Sequence, residues 1–317
     1  MDTIIQILAR ELGRSEAHVE NVVRLIDEGN TIPFIARYRK ELHGAMDDTA
    51  LRTLADRLQY LRNLDKRREE VKSAIEGQGK LTEELSAAID AAATLAEVED
   101  LYRPYKQKRR TRATVAREKG LEPLAELLFA QAADGPAPEE AAGAFIDPEK
   151  GVETAEDALQ GASDIIAERI SDDADIRKRL RELVWKKGYL VSAAAAKEPE
   201  DTVYRLYYAF RSPLNRVQGH QVLAINRGER EGVLKVSVEM EREAALIPVR
   251  RAVLNPGAPA MAFVRAAAED AYDRLIFPSV ERDDGDSWGF SHKRISPPDA
   301  GKTNPGKMPE YRSCGSH

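Results

Sequence analysis

Two stretches of this chain carry the residue types suited to holding a polyanion. The first is Thr31-Ile-Pro-Phe-Ile-Ala-Arg-Tyr-Arg-Lys-Glu-Leu-His-Gly44, which interleaves Ile32, Phe34, Ile35, Tyr38 and Leu42 with the cations Arg37, Arg39 and Lys40. The second is Asp100-Leu-Tyr-Arg-Pro-Tyr-Lys-Gln-Lys-Arg-Arg-Thr-Arg112, the densest basic cluster. Between Tyr102 and Lys119 eight Lys or Arg stand against one acid, Glu118. Arg103, Lys106, Lys108, Arg109, Arg110 and Arg112 supply the charge of that cluster. Such groups bind phosphates without reading sequence. Tyr102 and Tyr105 are placed either to stack on bases or to anchor the loop in the core. The competing reading of both stretches is a solvated basic face, the ordinary fate of a charge run.

Other combinations suggest chemistry but lack a scaffold. Gly285-Asp-Ser-Trp-Gly289 has the G-x-S-x-G form of a nucleophile elbow, with Asp299 and His317 following in a permitted order. That motif needs a sharp strand-to-helix turn and an oxyanion hole, and the Pro297-Pro298 surroundings provide neither. A hydrolase acting through Ser287 is therefore the least favoured function. Ala300-Gly-Lys-Thr303 resembles the end of a P-loop, but Ser296 stands where the first glycine belongs and Pro305 opposes the helix that should follow. The five histidines, 18, 43, 220, 292 and 317, are scattered, and no His, Cys and acid cluster has metal-ligand spacing. The expectation is a non-enzyme with no catalytic residue, no metal and no cofactor.

The bulk composition limits the partners. The chain has 317 residues, 42% hydrophobic and 32% charged, with aromatics at 6% and a net charge of −6. Length suggests roughly two domains, and the abundance of Ala, Leu and Glu favours helix. An acidic total means that any nucleic-acid contact comes from local patches. Cys314 stands alone, so no internal disulfide forms, which fits a reducing compartment. The start, Met1-Asp-Thr-Ile-Ile, lacks the features of a signal peptide, and no apolar run reaches the ~20 residues of a membrane span. A cytoplasmic protein with no membrane contact is expected.

The elements that must position the basic residues are mostly helices. Ile4, Ile5, Leu8 and Leu12 share one side of a first helix ended by Gly13. Ser15 caps a second helix with Val19, Val22, Val23 and Ile26 inward, giving a helix-turn-helix outline. Pro33, preceded by Asn30 and Thr31 as capping candidates, opens a third that Gly44 ends. Asp47 or Asp48 starts a longer helix with Leu51, Leu54, Leu58, Leu61 and Leu64 at helical steps. Further helices are expected from Thr82 to Ala93, from Gly120 to Ala130, after the Thr154–Asp157 capping box, after Asp172 as far as Gly188, and from Ala258 to Ile276. Val222–Ile225 reads equally as helix or strand, while Leu234, Val236 and Val238 alternate with polar residues as one strand does. Residues 283–317, with four prolines, five glycines and five serines, read as disordered. The fold expected is mainly α, a multi-helix scaffold with a small strand-containing region near 220–240. Its divisions are a helix-turn-helix-like unit (1–72), a helical body with the basic loop (73–200), a mixed segment (201–282) and the tail (283–317).

The order of segments resembles the front of the bacterial Tex family of transcription accessory proteins. The resemblance rests on Ile32-Pro-Phe-Ile-Ala-Arg-Tyr-Arg-Lys-Glu41, Glu99-Asp-Leu-Tyr-Arg-Pro-Tyr-Lys106, Ala116-Arg-Glu-Lys-Gly-Leu-Glu-Pro-Leu124, Val222-Leu-Ala-Ile-Asn-Arg-Gly-Glu-Arg-Glu-Gly232 and Asp273-Arg-Leu-Ile-Phe-Pro-Ser279. It covers about Met1 to Arg282. The resemblance implies RNA-binding activity and a longer protein that continues into an RNase-H-like domain, a helix-hairpin-helix pair and an OB-type RNA-binding module. A truncated Tex-like chain is therefore expected, touching RNA or DNA backbone weakly and without sequence preference. The alternative is a helical scaffold that docks on transcription machinery and binds little nucleic acid.

Overall fold

Capping chemistry sets the first helices. The computed structural model describes residues 3–107, 109–196 and 202–288, the last six as backbone. Thr3 and Gln6 form a capping box that opens α1 (Ile4–Leu12), and Gly13 closes it in the left-handed region at φ 61°. The Ser15 hydroxyl accepts from the His18 N–H at the start of α2 (Glu16–Asp27). Pro33 lies in the first turn of α3 (Ile32–Tyr38), where its missing N–H costs nothing. Asp47 accepts from the Ala50 N–H and opens α4 (Asp48–Glu76), 29 residues or about 44 Å of rod.

The α4 stripe of Leu51, Leu54, Leu58, Leu61, Leu64, Val71 and Ile75 is buried. Each such side chain contributes about 2 kcal/mol of transfer free energy. It packs with Leu8, Val19, Val22, Leu25 and Ile35, and with α5 (Glu83–Ala91) and α6 (Leu95–Tyr102) through Ile89 and Val98. This is the first of two hydrophobic cores.

The second core begins at Ala113. It is built from α7 (Arg112–Glu118), α8 (Glu122–Ala130), α9 (Pro138–Gly143), α10 (Ala155–Ser171) and α11 (Ala174–Lys187). The chain then forms β1 (Tyr189–Ala194), β2 (Ala209–Pro213), α12 (Gly219–Arg230), β3 (Leu234–Glu239), α13 (Arg242–Val253), α14 (Met261–Asp270) and α15 (Phe277–Trp288). α10 runs through the middle, against α7, α8, α9 and α14. A Cβ on Gly161 would lie 2.3 Å from Leu121 Cδ1 and 3.2 Å from Ala116 Cβ, so only glycine permits this approach. Between α14 and α15, Ala271–Ile276 winds in wider π-type turns.

The strands form an antiparallel sheet in the order β2-β1-β3. Opposite residues share a face, so Tyr189 lies with Pro213 and Glu239, and Val191 with Arg211 and Ser237. Leu190, Ser192, Leu234 and Val238 are buried on the other face.

Mainly helical architecture, the small sheet and the 234–239 strand match expectation. The ambiguous 222–225 run is helix, with Val222 and Ile225 buried one turn apart. β1 and β2 are additional to the single strand expected. The third helix ends at Tyr38 rather than Gly44, because Arg39 leaves the helical region at φ −130°. The following turn is fixed by the Asn21 amide, which donates to the Leu42 carbonyl at 3.3 Å, and by buried His43. Gly44 serves that turn at φ 60°, and a Cβ there would lie 2.4 Å from the His18 imidazole. The backbone of 283–288 continues α15; 289–317 lie outside the described residues.

Candidate nucleic-acid interface

α3 is held by fully buried Ile35, with Ile32 and Ala36 packed part-buried against the same core, and its remaining residues are on the surface. Phe34 and Tyr38, one turn apart, are 37% and 62% exposed with ring centroids 5.1 Å apart. The Arg39 guanidinium carbon lies 5.6 Å from the Phe34 centroid, a cation–π distance. Arg37, Arg39 and Lys40 are exposed, and none forms an ion pair among the described residues. Two open rings beside three unneutralised cations offer faces for bases and donors for phosphates.

The second basic stretch is divided by the structure. Arg103 turns inward, where its Nη2 donates to Ser279 Oγ at 2.9 Å. Tyr102 and Tyr105 pack against the first core, which selects the anchoring alternative for both. Arg110 pairs with Glu118 at 2.8 Å, but both side chains are more than half exposed, so the pair is weak. Lys106, Arg109 and Arg112 are exposed, with no ion pair among the described residues. Lys108 lies outside the described residues.

The loop is seated by Thr111, whose hydroxyl accepts from the Thr114 N–H to cap α7 and donates to Glu168 Oε1 at 3.0 Å. Arg117 Nη1 donates to the other oxygen of that carboxylate at 2.7 Å. Arg112 occupies the first turn of α7, where the helix dipole disfavours a cation. Its charge therefore does nothing for the helix and is free to meet an anion.

Sequence reading missed what the Asp100 motif does. Asp100, 3% exposed, accepts from Arg177 Nε at 2.5 Å and from Arg181 Nη2. Arg177 is fully buried, and its Nη2 donates to Ser279 Oγ at 2.9 Å, the oxygen Arg103 also reaches. α6, α11 and α15 are thus tied through one carboxylate and one hydroxyl. Only the apolar neighbours of Arg177 in α11 signal burial, and they do not say which partner it finds.

Also missed is a groove of about 910 Å³ along the outer face of the sheet. Lys186, Lys187, Arg211 and Arg216 stand on it, with Tyr189 between them. They come from separate segments, so no local run of sequence shows them together.

Gly285–Trp288 lies within the continuous helix α15, not at the sharp turn a nucleophile elbow needs. Gly289, Asp299, His317 and the segment Ala300–Thr303 lie outside the described residues. Among the described residues no group of three or more His, Cys, Asp or Glu could hold a metal ion, and no helix is long and apolar enough to cross a membrane.

The fold and its surfaces define a class: a helical scaffold that carries exposed basic and aromatic patches. Residues 2–76 match the Tex-like protein N-terminal domain and residues 134–284 the Tex central region. The chain belongs to the Tex family. It is 45% identical over 281 residues to the Bacillus subtilis protein YdcI, covering 88% of this chain and 39% of that one. It is 41% identical over 239 residues to the transcriptional accessory protein Tex of Neisseria gonorrhoeae, covering 75% and 31%. The human S1 RNA-binding domain-containing protein 1 is 30% identical over 296 residues, covering 88% and 29%. The chain thus spans two fifths or less of the length of these curated relatives.

Proposed function

We propose that this chain is a non-catalytic, nucleic-acid-associated part of a transcription accessory protein, with a helix-turn-helix-like start. It contacts RNA or DNA backbone through Arg37, Arg39 and Lys40 on one surface and Lys106, Arg109 and Arg112 on another. The observation that carries this reading is the α3 platform, where Phe34 and Tyr38 stay exposed beside three cations that no carboxylate neutralises among the described residues. A merely solvated face has no reason to leave two rings open to water. The names of the Neisseria and human relatives point to the same class of partner. Contact is to phosphate, through charges that carry no sequence information, and binding is correspondingly weak and indifferent to sequence.

The test is fluorescence anisotropy of a labelled single-stranded RNA titrated with salt. Expected is a linear fall of log K with log salt, with a slope of about −0.7 per phosphate contact. The Arg37→Gln/Arg39→Gln/Lys40→Gln and Lys106→Gln/Arg109→Gln/Arg112→Gln variants each flatten the slope by about two. No binding at low salt, or unchanged slopes in both variants, refutes the reading.

A second reading has its own observation. Val203 and Leu206 are 86% and 85% exposed, and apolar side chains left so open mark a surface used by another protein. In that case the helical body docks on transcription machinery and the cations pair with acidic helices. Binding of RNA lost on neutralising the basic patches decides for the first reading.

A further inference from the structure

The outer face of the sheet is built unlike a surface that only meets water. Arg211 of β2 lies over the Tyr189 ring of β1, its guanidinium carbon 3.6 Å from the centroid. Lys186 and Lys187, from the last turn of α11, and Arg216, just after β2, are exposed and carry no ion pair among the described residues. Pro213 and Phe277 supply apolar lining. Two acids share the groove: Glu239, which accepts from Arg211 Nε at 3.1 Å, and Glu241. The arrangement is a cationic side, a planar stack and a carboxylate side.

We propose that this groove binds a short single-stranded segment of RNA or DNA. Phosphates lie on Lys186, Lys187 and Arg216, and one base stacks on the open plane of the Arg211–Tyr189 pair. Unpaired bases stack on guanidinium planes and aromatic rings alike. The acids discriminate between occupants. A carboxylate accepts from the exocyclic amino group of cytosine or adenine, so Glu241 faces the bases and holds phosphates to the opposite side. An acidic peptide brings carboxylates of its own, which Glu239 and Glu241 repel. The inference rests on the nucleic-acid reading above but uses none of the same residues, so the two can fail separately.

The experiment uses the full chain and a fluorescein-labelled oligocytidylate of about eight nucleotides, within the span of a small single-strand site. The exposed triple Lys186→Gln/Lys187→Gln/Arg216→Gln should weaken binding about tenfold or more at low salt and flatten the salt slope by about two. Arg211→Lys keeps the charge and removes the plane. It should weaken binding while leaving the slope unchanged. Ultraviolet cross-linking followed by mass spectrometry should place an adduct on the peptide containing Tyr189. Wild-type affinity in the groove triple, or adducts confined to α3 and the 106–112 loop, overturns the groove while leaving the earlier sites standing. Displacement of the oligonucleotide by an equal concentration of polyglutamate overturns it in favour of an acidic peptide. Failure of the wild-type chain to bind at low salt overturns both.

Discussion

Replacing Asp100 with Asn keeps the shape of the side chain and removes its charge. The amide oxygen can still accept from Arg177 Nε, but the amide nitrogen then faces the donors of Arg181. Arg177 is left with a full charge at 0% exposure, beside Arg181 at 13%. Breaking a buried ion pair on one side costs about 3–5 kcal/mol. One carboxylate serves two guanidiniums here, and neither is open enough for solvent to screen the loss, so the upper part of that range applies. With a urea slope of about 3 kcal/mol/M for a chain of this size, the midpoint should fall by about 1.3–1.7 M at unchanged slope. Far-ultraviolet circular dichroism during urea titration measures this. The double variant Asp100→Leu/Arg177→Met removes the charge together with its partner and should recover much of the loss, because apolar replacement of a whole buried pair is often neutral. A midpoint shift for Asp100→Asn worth less than about 1 kcal/mol refutes the reasoning. It would mean that packing alone holds α6 to α11.

Gly161→Val puts side-chain atoms where Leu121 Cδ1 and Ala116 Cβ already lie, and both residues are buried. It should destabilise the second core by about 1–3 kcal/mol in a thermal melt, and an unaltered melting temperature would show that α7 and the α8 entry can retreat. Tyr272 is 4% exposed, and burial pushes its phenol up to about 12. The folded state therefore holds that proton more tightly than the unfolded chain, whose phenol ionises near 10. The contribution is complete below pH 10 and is lost as pH rises toward 12, worth at most about 2–3 kcal/mol. Tyr272→Phe should flatten the fall of stability in that window, and an unchanged alkaline limb in a pH series of urea titrations sinks the assignment.

What the sequence made legible is what local chemistry controls. Ser15, Asp47 and Thr154 cap the helices that their side chains announce, each accepting a backbone N–H three residues on. The Leu51–Leu64 stripe is buried as its period requires. The alternation at Leu234–Val238 is a strand with one face covered. β1 and β2 escaped because pairing partners lie far apart in the chain, and the six residues after Gly188 carry no turn signal at their far end. The same distance hides the roles of charged groups. Arg177 stands in an amphipathic helix whose period does not name its partner, which lies 77 positions earlier. Arg103 sits in the densest basic cluster but reaches Ser279, 176 positions away. Arg37, Arg39 and Lys40, by contrast, are as open as their sequence implies, since among the described residues nothing distant folds over the outer side of the seven-residue α3.

The wide turns between Ala271 and Ile276 store about one residue more than a regular helix would use to join the same two ends. That surplus is slack in the chain. Losing one residue from this stretch can close the bulge into ordinary α-helix and leave Ser279 still facing Arg103 and Arg177. Losing one from α14 or from the start of α15 has no such reserve, and everything beyond it turns by about 100°. The family motif that begins at Asp273 therefore overlaps a stretch where length can change without re-aiming the hydroxyl that Arg103 and Arg177 share.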